Sequence, residues 1–320
     1  MCPACRRHTG RGLELFSLDV SEQALVQGDE LLEGALRCRG CAQRYPVAAG
    51  IPVLLPDPAA ALELLALPED ALALAALAQP GPDGAPVPHA VEQLSSYVDS
   101  SWGDLATPPA PWGFEALAGK LAQLEPVAST LDVGCGVGRS LEKKMYKLPG
   151  DPAGLSIGLD RSAFLLRAAR SILSGKPFGY ARRLAGRHYT AATVQAAPAP
   201  GVQLLCGDAL NPPFVPGGFE RVVALNVLDN VPSPRALLHH LRQLTAPGGE
   251  LILSSPYAWR DGIVAEGERL GGADPAAALR EELSRLELRI EDEAELPWSV
   301  QHNARAFTSY RVHYLRATRA

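Results

Sequence analysis

Thr130-Leu131-Asp132-Val133-Gly134-Cys135-Gly136-Val137-Gly138-Arg139-Ser140-Leu141 reads as an apolar strand, a glycine-rich turn and the start of a helix. Two cofactor classes use such a turn. A dinucleotide pyrophosphate asks for G-x-G-x-x-G, so that its phosphates meet a helix N-terminus. Here the third glycine comes one residue early, and Arg139 fills the slot that the dinucleotide pattern reserves for glycine. Asp132, at the strand end, suits a cationic ligand, because a carboxylate there can meet an ammonium group. Glycine at 134, 136 and 138 lets the backbone approach where a β-carbon would collide.

Outward from this turn the pattern continues. Leu155–Asp160 reads as a second strand, ending in an acid 28 residues after Asp132. The usual interval is about 20, so Lys147 to Ala153 reads as an insertion between helix and strand. A third strand, from Val202, ends in Gly207-Asp208-Ala209, and a fourth runs from Arg221 to Asn226-Val227-Leu228-Asp229. Ala236 to Leu244 reads as a helix, and Pro247-Gly248-Gly249 as a turn into strand five. Taken in order over residues 127–256, these segments resemble class I S-adenosylmethionine-dependent methyltransferases. The resemblance implies an α/β fold: a Rossmann-like seven-stranded sheet with helices on both faces. It also implies a cofactor site of Asp132, Gly134, Cys135, Gly136 and Gly138 in the turn, Asp160 with Arg161, Asp208 with Ala209, and Asn226. In that family the acid at strand two accepts both ribose hydroxyls, and the one at strand three faces the adenine amino group. A glycine or aspartate taken alone is equally a turn or a cap.

Asn211-Pro212-Pro213-Phe214 looks like the signature of methyltransferases acting on nucleobase or glutamine amino nitrogens. That signature belongs at the end of strand four, whereas here it follows strand three, so it reads as a loop. Later segments are Ser254-Ser255-Pro256-Tyr257-Ala258-Trp259, Leu270-Gly271-Gly272, Leu296-Pro297-Trp298 and Asn303-Ala304-Arg305-Ala306-Phe307. With the strand-four end, they resemble the domain that N-methylates mercaptohistidine in ovothiol synthesis, which implies a small polar acceptor. The alternative is that Pro256, Tyr257 and Trp259 simply pack the end of strand five. Methyl transfer from a sulfonium requires in-line placement and removal of water more than a base. If a base acts, the candidates are Asp229, Tyr257 and His302. Tyr97 and Trp102, ahead of the domain, read as either a lid or core aromatics.

The N-terminal region carries a second signal. Cys2 and Cys5 form one C-x-x-C, and Cys38 and Cys41 form another. Two such knuckles supply the four soft ligands of tetrahedral zinc; two disulfides or redox pairs are the alternative. Around the second knuckle, Cys41-Ala42-Gln43-Arg44-Tyr45-Pro46-Val47 leads to Gly50-Ile51-Pro52-Val53. This resembles the zinc ribbon of the small activators that serve RNA and protein methyltransferases, over about the first 56 residues. Six arginines and six acids leave residues 1–56 neutral, so packing over a substrate suits the ribbon better than gripping phosphates. Cys135 and Cys206 also read as small buried residues.

The expected organisation is a ribbon at 1–56, a helical and Pro-rich linker at 57–90, and a methyltransferase domain at 91–320. Asp57 to Ala78 is rich in helix formers, Gln79 to Pro88 is a linker by composition, and Ala191 to Gly201 reads as a surface loop. Net charge is −5 and the sequence pI about 5.8, which counts against nucleic acid as the main partner; DNA is not expected. Between Asp160 and Asp208, however, seven basic residues and no acids occur. This stretch reads as an anion-recognition surface or as a solvated helix face with a mobile insert. No apolar run follows Arg6-Arg7, and Ala59 to Ala78 is broken by Glu63, Pro68, Glu69 and Asp70. The expectation is a cytoplasmic protein without a membrane partner. Three functions follow: a small-molecule methyltransferase, an RNA or protein methyltransferase docked through the ribbon, and a binding protein that activates a partner enzyme.

Overall fold

In a computed structural model, residues 1–9, 12–66, 86–142 and 154–320 are described. The chain opens with a small antiparallel pair, β1 (Arg7–Thr9) and β2 (Gly12–Glu14). Four antiparallel strands follow in sequence order: β3 (Leu18–Gln27), β4 (Glu30–Cys38), β5 (Arg44–Ala48) and β6 (Ile51–Pro52). Alternation explains the last two, since Tyr45, Val47, Ile51 and Val53 are all buried while successive side chains point to opposite faces. Val53 then bridges Cys206 in parallel, and the Leu54 N–H donates to the Cys206 carbonyl at 2.8 Å. The small sheet is thereby joined to the edge of the large one.

Helices α1 (Ala59–Ala66) and α2 (Pro86–Trp102) come next. Beyond Ala66 the expected helix lies outside the described residues, as do residues 79–85 of the linker and the insertion at 147–153. Pro86 and Pro88, the last prolines of the expected linker, sit in the first turn of α2. There proline's missing N–H has no helical partner to lose. After α2 come β7 (Ala106–Thr107), α3 (Glu115–Leu121), β8 (Ser129–Val133), β9 (Leu155–Asp160) and α4 (Ala163–Leu173). The Ser162 hydroxyl caps α4 by accepting from the Leu165 N–H, as N-cap serines do.

The remaining elements are β10 (Phe178–Ala185), β11 (His188–Val194), β12 (Val202–Cys206), β13 (Phe219–Leu225), α5 (Pro234–Leu244), β14 (Thr245–Ser255), α6 (Pro275–Arg285), β15 (Leu288–Asn303) and β16 (Ala306–Arg319). Seven of the strands form one sheet in the order β12-β9-β8-β13-β14-β16-β15. It is parallel except for β16, which runs antiparallel to both neighbours. Burial shows helices on both faces. Val222, Ala224, Leu251, Leu253 and Leu315 pack with α5 and α6, while Val223, Ile252, Val312 and Tyr314 pack with α3.

One expectation needs correcting. Ala191–Val194 are not surface loop: they end β11, which pairs with β10 and β7 in a separate three-stranded sheet. Val194 is fully buried there, and Ala196 and Ala199 are buried beyond it. The Ala199 N–H donates to the carbonyl of Leu173, the last residue of α4, at 2.9 Å. No described helix is long and apolar enough to cross a membrane.

Candidate functional site

β8 delivers Asp132 and the glycine turn to the C-terminal edge of the parallel strands, where ligands of open α/β sheets bind. The turn is closed by backbone hydrogen bonds. Gly134 N–H and Cys135 N–H both donate to the Leu159 carbonyl, at 2.7 and 3.2 Å, and Gly138 N–H donates to Cys135 O at 2.8 Å. Gly134, Gly136 and Gly138 have φ of 76°, 52° and 78°, the left-handed region that other residues enter at a cost. A β-carbon on Gly134 would lie 2.4 Å from Val227 Cγ2, whereas one on Gly136 would meet only the Tyr97 ring at 3.6 Å. A 3₁₀ turn over Arg139–Leu141 follows, and the rest of the expected helix lies outside the described residues.

The acids converge on this turn. Asp160, at the end of β9, accepts from Gly136 N–H at 2.9 Å and Ser162 N–H at 2.8 Å. Burial raises its pKa against those donors. Asp132 is buried and hydrogen-bonded by the Ser140 hydroxyl. Burial, with the Asp160 charge adding, pushes its pKa up to about 7. Asp208, two residues beyond β12, is half-buried and accepts from Leu210 N–H at 2.8 Å; Ala209 packs on the neighbouring core. Arg161 is exposed beside Asp160. The Cys135 thiol is buried, which raises its pKa well above the ordinary range.

A second cluster lies at the ends of β13 and β14. Asn226 adopts φ 57° and accepts through Oδ1 from the Ser254 hydroxyl at 2.8 Å. Asp229 is buried, its pKa raised by that burial although the nearby Arg260 charge opposes it, and it accepts from the Ser255 hydroxyl at 3.2 Å. Ser255 Oγ also accepts from Tyr257 N–H at 3.0 Å, so Asp229 and the Tyr257 backbone share one hydroxyl. The Tyr257 side chain turns toward β16, where its hydroxyl lies 2.6 Å from His313 Nδ1. His302 is elsewhere: it is exposed on the β15–β16 hairpin, with Nε2 2.7 Å from Thr308 Oγ1.

Four groups here escaped sequence reasoning: Ser255, His313, Glu293 and Arg260. The one available signal was a histidine inside the buried run Val312–Leu315.

The aromatic residues ahead of the domain divide between the two roles read for them. Tyr97 is 39% exposed and faces Gly136. Burial of its hydroxyl and the Asp160 charge raise its pKa. Trp102 is fully buried, and its indole N–H donates to Val137 O at 2.9 Å. Arg139 explains its own place in the turn. Its guanidinium lies 4.6 Å from the Trp102 ring centre and 4.9 Å from that of Trp112, and it pairs with Asp104 at 2.8 Å.

The basic stretch is largely tied up. Arg170 pairs with Glu30, Arg182 is buried against Asp99 and Tyr180, Arg183 pairs with Glu92, and Arg167 donates to Leu64 O. An open anion-recognition surface is therefore not what these four arginines form.

The four N-terminal cysteines come together with all sulfurs within 4.8 Å of one another. Cys2 and Cys41 sulfurs are 3.9 Å apart, and those of Cys5 and Cys38 are 3.6 Å apart. None of the four forms a disulfide. Burial raises the Cys38 pKa, but N–H groups of Cys41 and Gly40 aimed at its sulfur outweigh this and bring it to about 7. The Asn-Pro-Pro-Phe stretch docks against this knuckle. Asn211 Nδ2 donates to Pro3 O at 3.0 Å, and Arg6 donates to Pro212 O at 2.5 Å.

Comparison with known families finds that the model described as "Methyltransferase domain" matches residues 112–295. Comparison with curated proteins gives no match. Among solved structures, the chain resembles one chain of the complex between the Haloferax volcanii Trm112 methyltransferase activator and a methyltransferase. That match has 15% identity over 72% of this chain and 96% of the other, with TM-score 0.47. A SAM dependent methyltransferase from Aquifex aeolicus matches at 14% identity, over 73% and 98%, with TM-score 0.44. A chain from a structure titled for conversion of a disulfide bond into a thioacetal group during echinomycin biosynthesis matches at 18%, over 72% and 92%, with TM-score 0.43. The family match spans more than half of the 320 residues, and its sheet carries the glycine turn and acids described above. The chain therefore belongs to the methyltransferase domain family, with S-adenosylmethionine as the cofactor which that family implies.

Proposed function

We propose that the chain transfers the methyl group of S-adenosylmethionine to a nitrogen or oxygen of a small polar acceptor. Its N-terminal sheet is, in this reading, a zinc ribbon that serves as a structural or substrate-covering domain. The observation that carries the proposal is the pairing at one sheet edge of a three-glycine cradle with the buried carboxyl of Asp229. The cradle fits the cofactor: at Gly136 only the Tyr97 ring lies near the position of a β-carbon, which leaves room for methionine and ribose, with Asp160 set for the ribose hydroxyls and Asp208 for the adenine amino group. Bound there, the cofactor supplies an electrophilic methyl group. Asp229 and Tyr257, at the ends of the next strands, orient the acceptor and exclude water.

The cysteine cluster fits zinc. Zn–S bonds of about 2.3 Å in a tetrahedron place sulfurs roughly 3.8 Å apart, which the 3.6 and 3.9 Å spacings match. Cys2, Cys5, Cys38 and Cys41 would hold the ion.

A small acceptor is favoured over RNA because three of the seven basic residues in that stretch, Arg170, Arg182 and Arg183, are paired internally with Glu30, Asp99 and Glu92. A protein acceptor is the second reading. It is supported by β3, an outer strand whose Val20, Leu25 and Val26 are 45–52% exposed. Methyl transfer from labelled cofactor into cell extract, separated into RNA, protein and metabolite fractions, tests these readings. Label in the metabolite fraction is expected, and label in RNA overturns the small-acceptor reading.

A further inference from the structure

Behind Tyr257 lies an arrangement that neither the fold nor the cofactor requires. His313 is 2% exposed. It faces Ser255 on β14 and Glu295 on β15 across the sheet, yet its ring bonds to neither. Nδ1 lies 2.6 Å from the Tyr257 hydroxyl, and Nε2 lies 2.6 Å from Glu293 Oε1. Arg280, on α6, donates to that same Glu293 oxygen at 2.8 Å. A carboxylate held by arginine only accepts, so the proton of the neutral imidazole belongs on Nε2. Nδ1 is then the acceptor for the tyrosine O–H. The order is hydroxyl, imidazole, carboxylate: a group that meets substrate, a base behind it and an acid that orients the base.

Two further observations concern the loop that carries the front of this relay. Tyr257 is two residues beyond the C-terminal end of β14, and its φ of 53° is left-handed although it is not glycine. Backbone held in that region costs free energy and concentrates at functional sites. Moreover, its N–H shares the Ser255 hydroxyl with Asp229. The loop bearing the tyrosine is therefore fixed from both sides, by Asp229 through Ser255 and by His313 through the phenol.

We infer that Tyr257, His313 and Glu293 form a proton relay that deprotonates the methyl acceptor, an N–H or O–H compound, as transfer occurs. This rests on the small-acceptor methyltransferase reading above. The acceptor's proton passes to Tyr257 Oη, and the tyrosine's own proton passes to His313 Nδ1. The acceptor lone pair forms the new bond to the methyl carbon, and the carbon–sulfur bond breaks with its electrons left on sulfur. Glu293 holds the resulting imidazolium, which releases its proton to solvent between turnovers. Tyr257 is the catalytic residue; His313 and Glu293 act through it.

The test uses the full-length protein with its metal. In ¹⁵N-histidine-labelled protein, the ring signals that disappear in His313→Asn should report protonated Nε2 and unprotonated Nδ1. His313→Asn keeps an acceptor near Nδ1 but cannot take the proton. Its label transfer into the fraction used by the wild type should fall about 100-fold, the lower range for a lost general base. Cofactor affinity should stay unchanged, and any fall in melting temperature should leave the protein folded under the assay conditions. Tyr257→Phe should fall equally, and the double variant no further, because members of one relay are not additive. Transfer by His313→Asn at the wild-type rate overturns the relay. So does a protonated Nδ1 in the wild type, or a loss that follows cofactor affinity and melting temperature. If the wild type labels protein or RNA, the same comparison in that fraction decides the relay while the small-acceptor reading fails. If it labels nothing, both fail.

Discussion

At the residue scale, the glycine turn separates steric room from backbone strain. Gly134 and Gly136 both have positive φ, so alanine at either costs about 1–2 kcal/mol from the left-handed conformation. Only at 134 does the added methyl also strike a neighbour, Val227, and overpacking adds roughly 1–3 kcal/mol. Denaturant unfolding should therefore find Gly134→Ala less stable than Gly136→Ala by about 1–3 kcal/mol; equal losses would refute the steric account. Asp132 gives a prediction in pH. Burial raises its folded pKa from the ordinary aspartate range to about 7, so the folded state holds the proton longer than the unfolded chain. Such an acid leaves stability intact below its unfolded pKa, and its ionisation penalty grows as pH rises toward the folded value. Asp132→Asn removes that penalty. Between pH 4 and pH 8, its stability relative to the wild type should rise by up to about 4 kcal/mol, at 1.36 kcal/mol per unit. Denaturant unfolding at the two pH values measures it, and a flat difference would show that Asp132 titrates normally.

At the element scale, what was legible in the sequence was what chemistry demands locally. A strand, three spaced glycines and acids at successive strand ends are each contained in fewer than ten residues, and the seven-stranded sheet is what the resemblance they carry implies. What was illegible depends on partners far along the chain. Arg182 looked like one of a run of surface cations until Asp99 and Tyr180, from α2 and β10, buried it. His313 gained its place through residues 56 and 20 positions away. Arg139 is the intermediate case: its presence in the turn was visible, but its reason was not. Its guanidinium joins the turn to the segment after α2 through Trp102, Trp112 and Asp104, and Glu142 is also within 3.5 Å. Breaking a buried ion pair by removing one partner typically costs about 3–5 kcal/mol. Arg139→Met should destabilise the protein by about that amount. Arg139→Lys should recover only part, because an ammonium lacks the plane that stacks between two indoles. Tryptophan emission during denaturant unfolding follows both the stability and the indole environment, and full recovery by lysine would reduce the arrangement to simple charge pairing.

At the scale of the whole molecule, the N-terminal sheet behaves as part of the main fold. It bridges the outermost parallel strand through Val53 and Cys206, holds the loop after that strand through Pro3, Arg6 and Asn211, and pairs Glu30 with Arg170 of α4. An uncovered edge strand is a template for aggregation, and here the N-terminal sheet covers it. The core of that sheet is the cysteine cluster with Tyr45 and Leu54, so a bound ion would hold its packing together. Elemental analysis of fresh protein should therefore find about one zinc per chain. Structural zinc contributes its binding free energy to folding. Chelation of the intact protein should then lower the melting temperature of the single main transition, by about 2–4 °C for each kcal/mol lost in a chain of this size. Light scattering should rise with it as the β12 edge becomes exposed. A separate early transition for the N-terminal sheet, leaving the main melting temperature unchanged, would show instead that the two sheets are joined by contact but not by stability.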